Sequence, residues 1–91
     1  MKTENINYLL SAYFHQDWRC EAQNDDEIIM HFKKAETQQT INELKEELNS
    51  LLASNQELTR EFIIENDGYY NPEYGGLTIR EWLARLLQLL N

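Results

Sequence analysis

The stretch Thr78-Ile79-Arg80-Glu81-Trp82-Leu83-Ala84-Arg85-Leu86-Leu87-Gln88-Leu89-Leu90 decides the fold. Ile79, Trp82, Leu83, Leu86, Leu87, Leu89 and Leu90 recur at helical spacing and spread over a wide apolar face. A helix that is apolar over so broad a face is most cheaply buried in the centre of a bundle, with the first, third and fourth of the helices described below as its neighbours. Thr78 and Glu81 have the spacing of a capping box, in which each side chain takes a backbone N–H at the helix start. Trp82 is then a core residue whose indole N–H must find an acceptor.

Working back from this helix, Tyr69-Tyr70-Asn71-Pro72-Glu73-Tyr74-Gly75-Gly76 reads as a loop, with Asn71-Pro72 inviting a turn. Tyr69, Tyr70 and Tyr74 are either core anchors or an amphipathic contact surface. Asn66-Asp67-Gly68 is a break, and Gly68 suits a helix C-cap at positive φ. The fourth helix precedes it, with Ser54 and Glu57 at capping spacing and Leu58, Phe62 and Ile63 facing inward. Arg60-Glu61-Phe62-Ile63-Ile64 competes as a short strand, but the Glu61–Glu65 spacing and the polar residues before it favour helix. The third helix starts between Thr37 and Thr40 and runs to about Ser54. Ile41, Leu44, Leu48, Leu51 and Leu52 form its buried stripe, and Glu43, Glu46 and Glu47 lie off that stripe. The second opens at Asn24-Asp25-Asp26-Glu27, where carboxylates meet the positive end of the helix, and it closes with Lys33 and Lys34. Its apolar face is Ile28, Ile29 and Phe32, and His31 sits at the boundary or surface. The first covers Lys2 to Phe14, capped by Thr3 or Asn5, with Ile6, Leu9, Leu10 and Tyr13 inward. The expected fold is all-α, a compact bundle of about five helices forming one domain over residues 1–91.

Between the first two helices lies Tyr13-Phe14-His15-Gln16-Asp17-Trp18, where rings, an imidazole, an amide and a carboxylate stand side by side. Its rings pin the end of the first helix and the following loop to the core. Gln16 and Asp17 suit backbone N–H groups at a turn, and His15 suits helix-end carbonyls. His15 and Asp17 also have the chemistry of a general acid–base pair. Residues two apart do not face each other on a helix, however, and no nucleophile motif completes a set. The motif is therefore structural and the chain is not an enzyme. His15, Cys20 and His31 match no zinc spacing, and there is no Gly-rich phosphate loop, so neither a metal nor a cofactor is expected.

Sixteen acidic residues against eight basic ones give a net charge of -8. From Glu36 to Glu73 nine carboxylates face only Lys45 and Arg60. Such a field repels nucleic acid and anionic membrane, and it either attracts a basic protein or serves solubility. The single cysteine, the polar N-terminus and the absence of a long apolar run point to a soluble cytoplasmic protein.

Three segments in order carry a resemblance: YFHQDW after an apolar helix, DEIIMHF after an acidic stretch, and an aromatic-Asn-Pro loop before Glu81-Trp82-Leu83. From about Tyr8 to Leu90 the chain resembles the small immunity proteins of bacterial contact-dependent growth inhibition systems. The resemblance implies a cytoplasmic protein that neutralises the C-terminal toxin domain of a large exported protein, often a nuclease and often one acting on tRNA. A nuclease that grips phosphates presents lysines and arginines, and an acidic helical surface can occupy that cleft. The expected contacts are Glu43, Glu46, Glu47, Glu61, Glu65 and Asp67, with Tyr69, Tyr70 and Tyr74 as aromatic anchors. The alternative is an acidic adaptor or regulatory bundle for another basic protein.

Overall fold

The structure, a computed structural model, describes residues 3–54, 58–66 and 68–91, and all regular structure among them is helical. In chain order these are α1 (Glu4–Ala12), α2 (Trp18–Glu21), α3 (Asp25–Ala35), α4 (Gln38–Ala53), α5 (Arg60–Glu65) and α6 (Ile79–Leu90), with a 3-10 turn at Pro72–Gly75 before α6. The five expected helices are α1, α3, α4, α5 and α6. The single turn α2 is an addition that the polar residues after Trp18 do not announce. The Cα radius of gyration is 12.1 Å, that of a compact chain of this length.

The apolar stripe of α6 is the middle of the bundle. Trp82 is fully buried, and Ile79, Leu83, Leu86 and Leu90 are buried around it. The main neighbours of α6 are α4 and α3, while α4 also carries α1. The prominence of α3 departs from the expected neighbours, and polar tethers explain it. Trp82 Nε1 donates to Asp25 Oδ2 at 2.9 Å. Arg85 forks onto Asp26 at 2.7 and 3.2 Å, and Lys33 Nζ donates to the Leu89 carbonyl at 3.0 Å. The acids read as N-terminal charge of the second helix therefore also hold the last helix in register.

Several caps follow the sequence. Thr78 and Glu81 form the full box, at 3.1 and 2.9 Å, and these bonds hold the Glu81 carboxyl below the usual carboxylate range. Asn24 accepts from Glu27 N at 3.0 Å, while Glu27 reaches back to Gln23 N at 2.8 Å. The start of α4 resolves to Thr37, whose Oγ1 accepts from Thr40 N at 3.2 Å. Ser54 differs from expectation. It closes α4, its Oγ donating to Leu51 O at 2.7 Å, while Thr59 precedes α5 and Glu57 lies outside the described residues. The positive φ expected at Gly68 involves Asp67, which lies outside the described residues, while Gly76 adopts positive φ, at 83°. Glycine is needed at 68 for space: a Cβ there would stand 2.7 Å from Ile63 Cγ2 and 3.3 Å from Leu10 Cβ. The loop can therefore lie tight against both α1 and α5.

The Tyr13–Trp18 segment acts as a joint. Phe14 is fully buried and Trp18 is buried. Phe14, Trp18, Tyr70 and Trp82 form one ring cluster, with Phe14 at 5.3 Å from Trp82 and Tyr70 at 5.1 Å from Trp82 and 5.3 Å from Trp18. Tyr13 turns the other way, 5.1 Å from Phe32, and its hydroxyl and that of Tyr8 both donate to Glu36 Oε2, at 2.6 and 2.7 Å.

Two tests follow from this packing. Trp82→Ala empties the centre of the bundle and is expected to cost about 3–5 kcal/mol, abolishing the cooperative melt or lowering it steeply in calorimetry. The phenols give a pH test. Burial first, then the Glu36 hydrogen bond and charge, raise Tyr13 well above its ordinary value. The Glu36 hydrogen bond, then burial, raise Tyr8. Burial, then the Asp25 carboxylate, raise Tyr70. The folded chain keeps protons that the unfolded chain releases, so this stability is intact below pH of about 10 and is lost as pH rises through the folded values. Melts above pH of about 10 should fall with pH, and fall less steeply in Tyr13→Phe.

Candidate functional site

The acidic residues of α4 separate into three environments. Glu46 is exposed. Glu43 is half-buried and accepts from Gln39 Nε2 and Asn5 Nδ2, each at 3.3 Å. Glu47 is only 4% exposed. Its carboxylate accepts from Asn5 N at 2.9 Å, Ile6 N at 3.1 Å and Asn5 Nδ2 at 2.7 Å. Asn5 and Ile6 are the second and third residues of α1, the donors an N-cap side chain normally serves. Thr3, the N-cap residue, makes no side-chain cap bond. Glu47 thus caps α1 from the neighbouring helix. The expectation that it faces water or a partner does not hold, because the start of α1 lies over the flank of α4 beside the buried stripe.

The tyrosine loop divides in the same way. Tyr70 is half-buried in the ring cluster and is a core anchor. Tyr69, one residue earlier, is 63% exposed, yet its backbone N–H is held by Phe14 O at 2.9 Å. Asn71 is buried, and its Oδ1 takes Glu73 N at 3.1 Å, opening the 3-10 turn. Asp67 and the side chain of Tyr74 lie outside the described residues.

Of the other expected contacts, Glu61, Glu65 and Tyr69 are exposed. Phe62 and Ile63 bury one face of α5, leaving Arg60, Glu61, Ile64 and Glu65 exposed. Arg60, Ile64, Gly68 and Tyr69 line an open groove of about 380 Å³. Arg60 and Ile64 were not among the residues singled out from sequence. The signal was present for Ile64: three consecutive apolar residues on a helix cannot all point inward.

His15 and Asp17 do not assemble as an acid–base pair. His15 Nδ1 accepts from the backbone N–H of Asp17 at 3.1 Å, and the Asp17 side chain is exposed without capping α2. Gln16 is exposed as well. Among the described residues no three His, Cys, Asp or Glu side chains are grouped to hold a metal ion, and no helix is long and apolar enough to cross a membrane.

Of the motif, Phe14 and Trp18 are buried and Tyr13 packs on Phe32. Among the described residues, Gln16 and Asp17 do not receive the turn N–H groups expected of them and stand exposed. A profile of CdiI immunity proteins matches residues 2–90. The chain belongs to the CdiI immunity protein family. No curated protein and no solved structure gives a match. Immunity proteins of this family bind a cognate toxin domain and act as inhibitors rather than enzymes. Burial and its internal duty take Glu47 out of the exposed surface.

The role of Glu47 is testable. Glu47→Ala leaves two backbone donors of α1 without their acceptor, at a cost of about 1–3 kcal/mol. The melting temperature should drop by about 4–8 °C per kcal/mol, whereas Glu46→Ala, at an exposed position, should melt close to the parent. Equal melts for the two variants would contradict the cap.

Proposed function

We propose that this chain binds and neutralises, in the cytoplasm, the C-terminal toxin domain of a contact-dependent growth inhibition system, and that this domain is a basic nuclease, such as one acting on tRNA. Membership of the immunity family over nearly the whole chain carries the reading. The charge supports its finer part. Glu46, Glu61 and Glu65 are exposed and make no hydrogen bond or ion pair to another described residue. Other acids are already engaged: Asp25 and Asp26 with α6, Glu36 with two tyrosines, Glu47 with α1. The unengaged carboxylates stand where nucleic-acid phosphates would otherwise meet the lysines and arginines of such a nuclease. They steer encounter and reject wrong partners more than they add affinity.

The test is a pull-down of the tagged chain from cells carrying its neighbouring genes, at low and at high salt. The expected result is a complex in which nuclease activity is lost and whose association slows as salt rises. A neutralised toxin whose association ignores salt would remove the acidic surface from the mechanism. Recovery of a housekeeping protein in place of a toxin would overturn the neutralisation reading itself.

A further inference from the structure

The two most exposed large hydrophobic side chains among the described residues, Tyr69 at 63% and Ile64 at 56%, line the same groove. Their side chains pack no core, so their exposure is without a structural reason. The backbone beneath them is fixed. Gly68 N donates to Ile63 O and Tyr69 N to Phe14 O, both at 2.9 Å, and Tyr70 is locked among Phe14, Trp18 and Trp82. A ring carried on a backbone held at both neighbouring residues loses little freedom on binding, which is how an aromatic anchor yields affinity. The missing side chain of Gly68 leaves backbone as part of the groove wall.

Charge limits what enters. On α5, Ile64 lies between Arg60 on one side and the Glu61–Glu65 row on the other, by the helical period. Arg60 is the charged residue of the groove lining. The exposed carboxylates of Glu61 and Glu65 lie outside that lining, on the far side of Ile64, and favour a cation there, next to the apolar group. We infer that this groove is the anchor site of the toxin interface. It receives one large apolar side chain of the toxin domain against Ile64 and Tyr69, while an adjacent lysine or arginine of the toxin meets Glu61 and Glu65. The inference rests on the neutralisation reading above and names where and with what chemistry that contact is made. Tyr69 and Ile64 form the centre, and the charged residues of α5 form a rim around it.

Calorimetric titration of the purified chain against a catalytically inactive form of its cognate toxin domain tests this, with melts run in parallel. Tyr69→Ala and Ile64→Ser should each weaken binding about 30-fold or more, with melting temperatures near the parent. Tyr69→Phe should bind nearly as well as the parent. Glu61→Gln with Glu65→Gln should flatten the salt dependence of association. Wild-type binding accompanied by a loss of less than about threefold in both Tyr69→Ala and Ile64→Ser overturns the anchor site and leaves the neutralisation reading standing. Tyr69→Phe as weak as Tyr69→Ala overturns the apolar character of the contact. If Tyr69→Ala alone melts far below the parent, Ile64→Ser decides. A wild-type chain that does not bind the toxin domain at all removes both.

Discussion

Short helices leave a large share of their backbone groups unsatisfied at the ends, and this fold answers with charged side chains that reach across from another helix. Glu47 of α4 takes the N–H groups at the start of α1. Arg80 of α6 donates to Leu52 O at 2.7 Å and Ser54 O at 3.3 Å, at the end of α4. Lys33 of α3 donates to the Leu89 carbonyl at the end of α6. In each case the sign is the one the helix dipole favours. Apolar stripes alone would let these helices slide and rotate against one another. The crossed caps fix position along each axis, since a displaced helix would leave both a charge and a row of backbone groups without a partner.

This arrangement changes how the acidity of the chain should be understood. A net charge of -8 suggests a uniformly acidic exterior, yet several of its carboxylates are parts of the fold. Asp25, Asp26, Glu36, Glu47 and Glu81 each accept hydrogen bonds from side chains or backbone at defined places. The acids left over on α4 and α5 are few. They matter more for being sparse, because a partner's cation meeting them does not first have to displace an internal donor.

Much of the architecture was readable from periodicity and capping chemistry. The helix at Ile79–Leu90, its Thr78–Glu81 box and the demand of the Trp82 indole for an acceptor all follow from local patterns. So do Asn24 as a cap and the packing of Phe14 and Trp18, though not the turn bonds expected of Gln16 and Asp17, which do not form among the described residues. The unreadable parts depend on distant chain segments coming together. The helical period puts Glu47 at the flank of the apolar stripe, beside Leu44 and Leu51, and Glu46 on the far side, but the placement of α1 that buries Glu47 is not written in α4 itself. Gly68 is a turn residue by composition, whereas its need for glycine arises from Ile63 and Leu10 pressing on it. Of the candidate contacts, Glu61 and Glu65 were legible as exposed positions from the helical period. Tyr69 and Tyr70 could not be separated beforehand, because an irregular loop has no period to assign inside and outside.

The separation of those two tyrosines by a single peptide bond bears on how such a protein can diverge. Tyr70 is bound into the ring cluster and tolerates little change without disturbing Phe14, Trp18 and Trp82. Tyr69 touches the scaffold through its backbone, which any residue with an N–H could supply. Ile64 stands on α5 in the same relation to buried Ile63. Variation at 64 and 69 is therefore nearly free of folding penalty, and a lineage can replace the exterior of the groove while its interior stays constant. New pairings between inhibitor and target can then arise through a few substitutions at positions that were never part of the core.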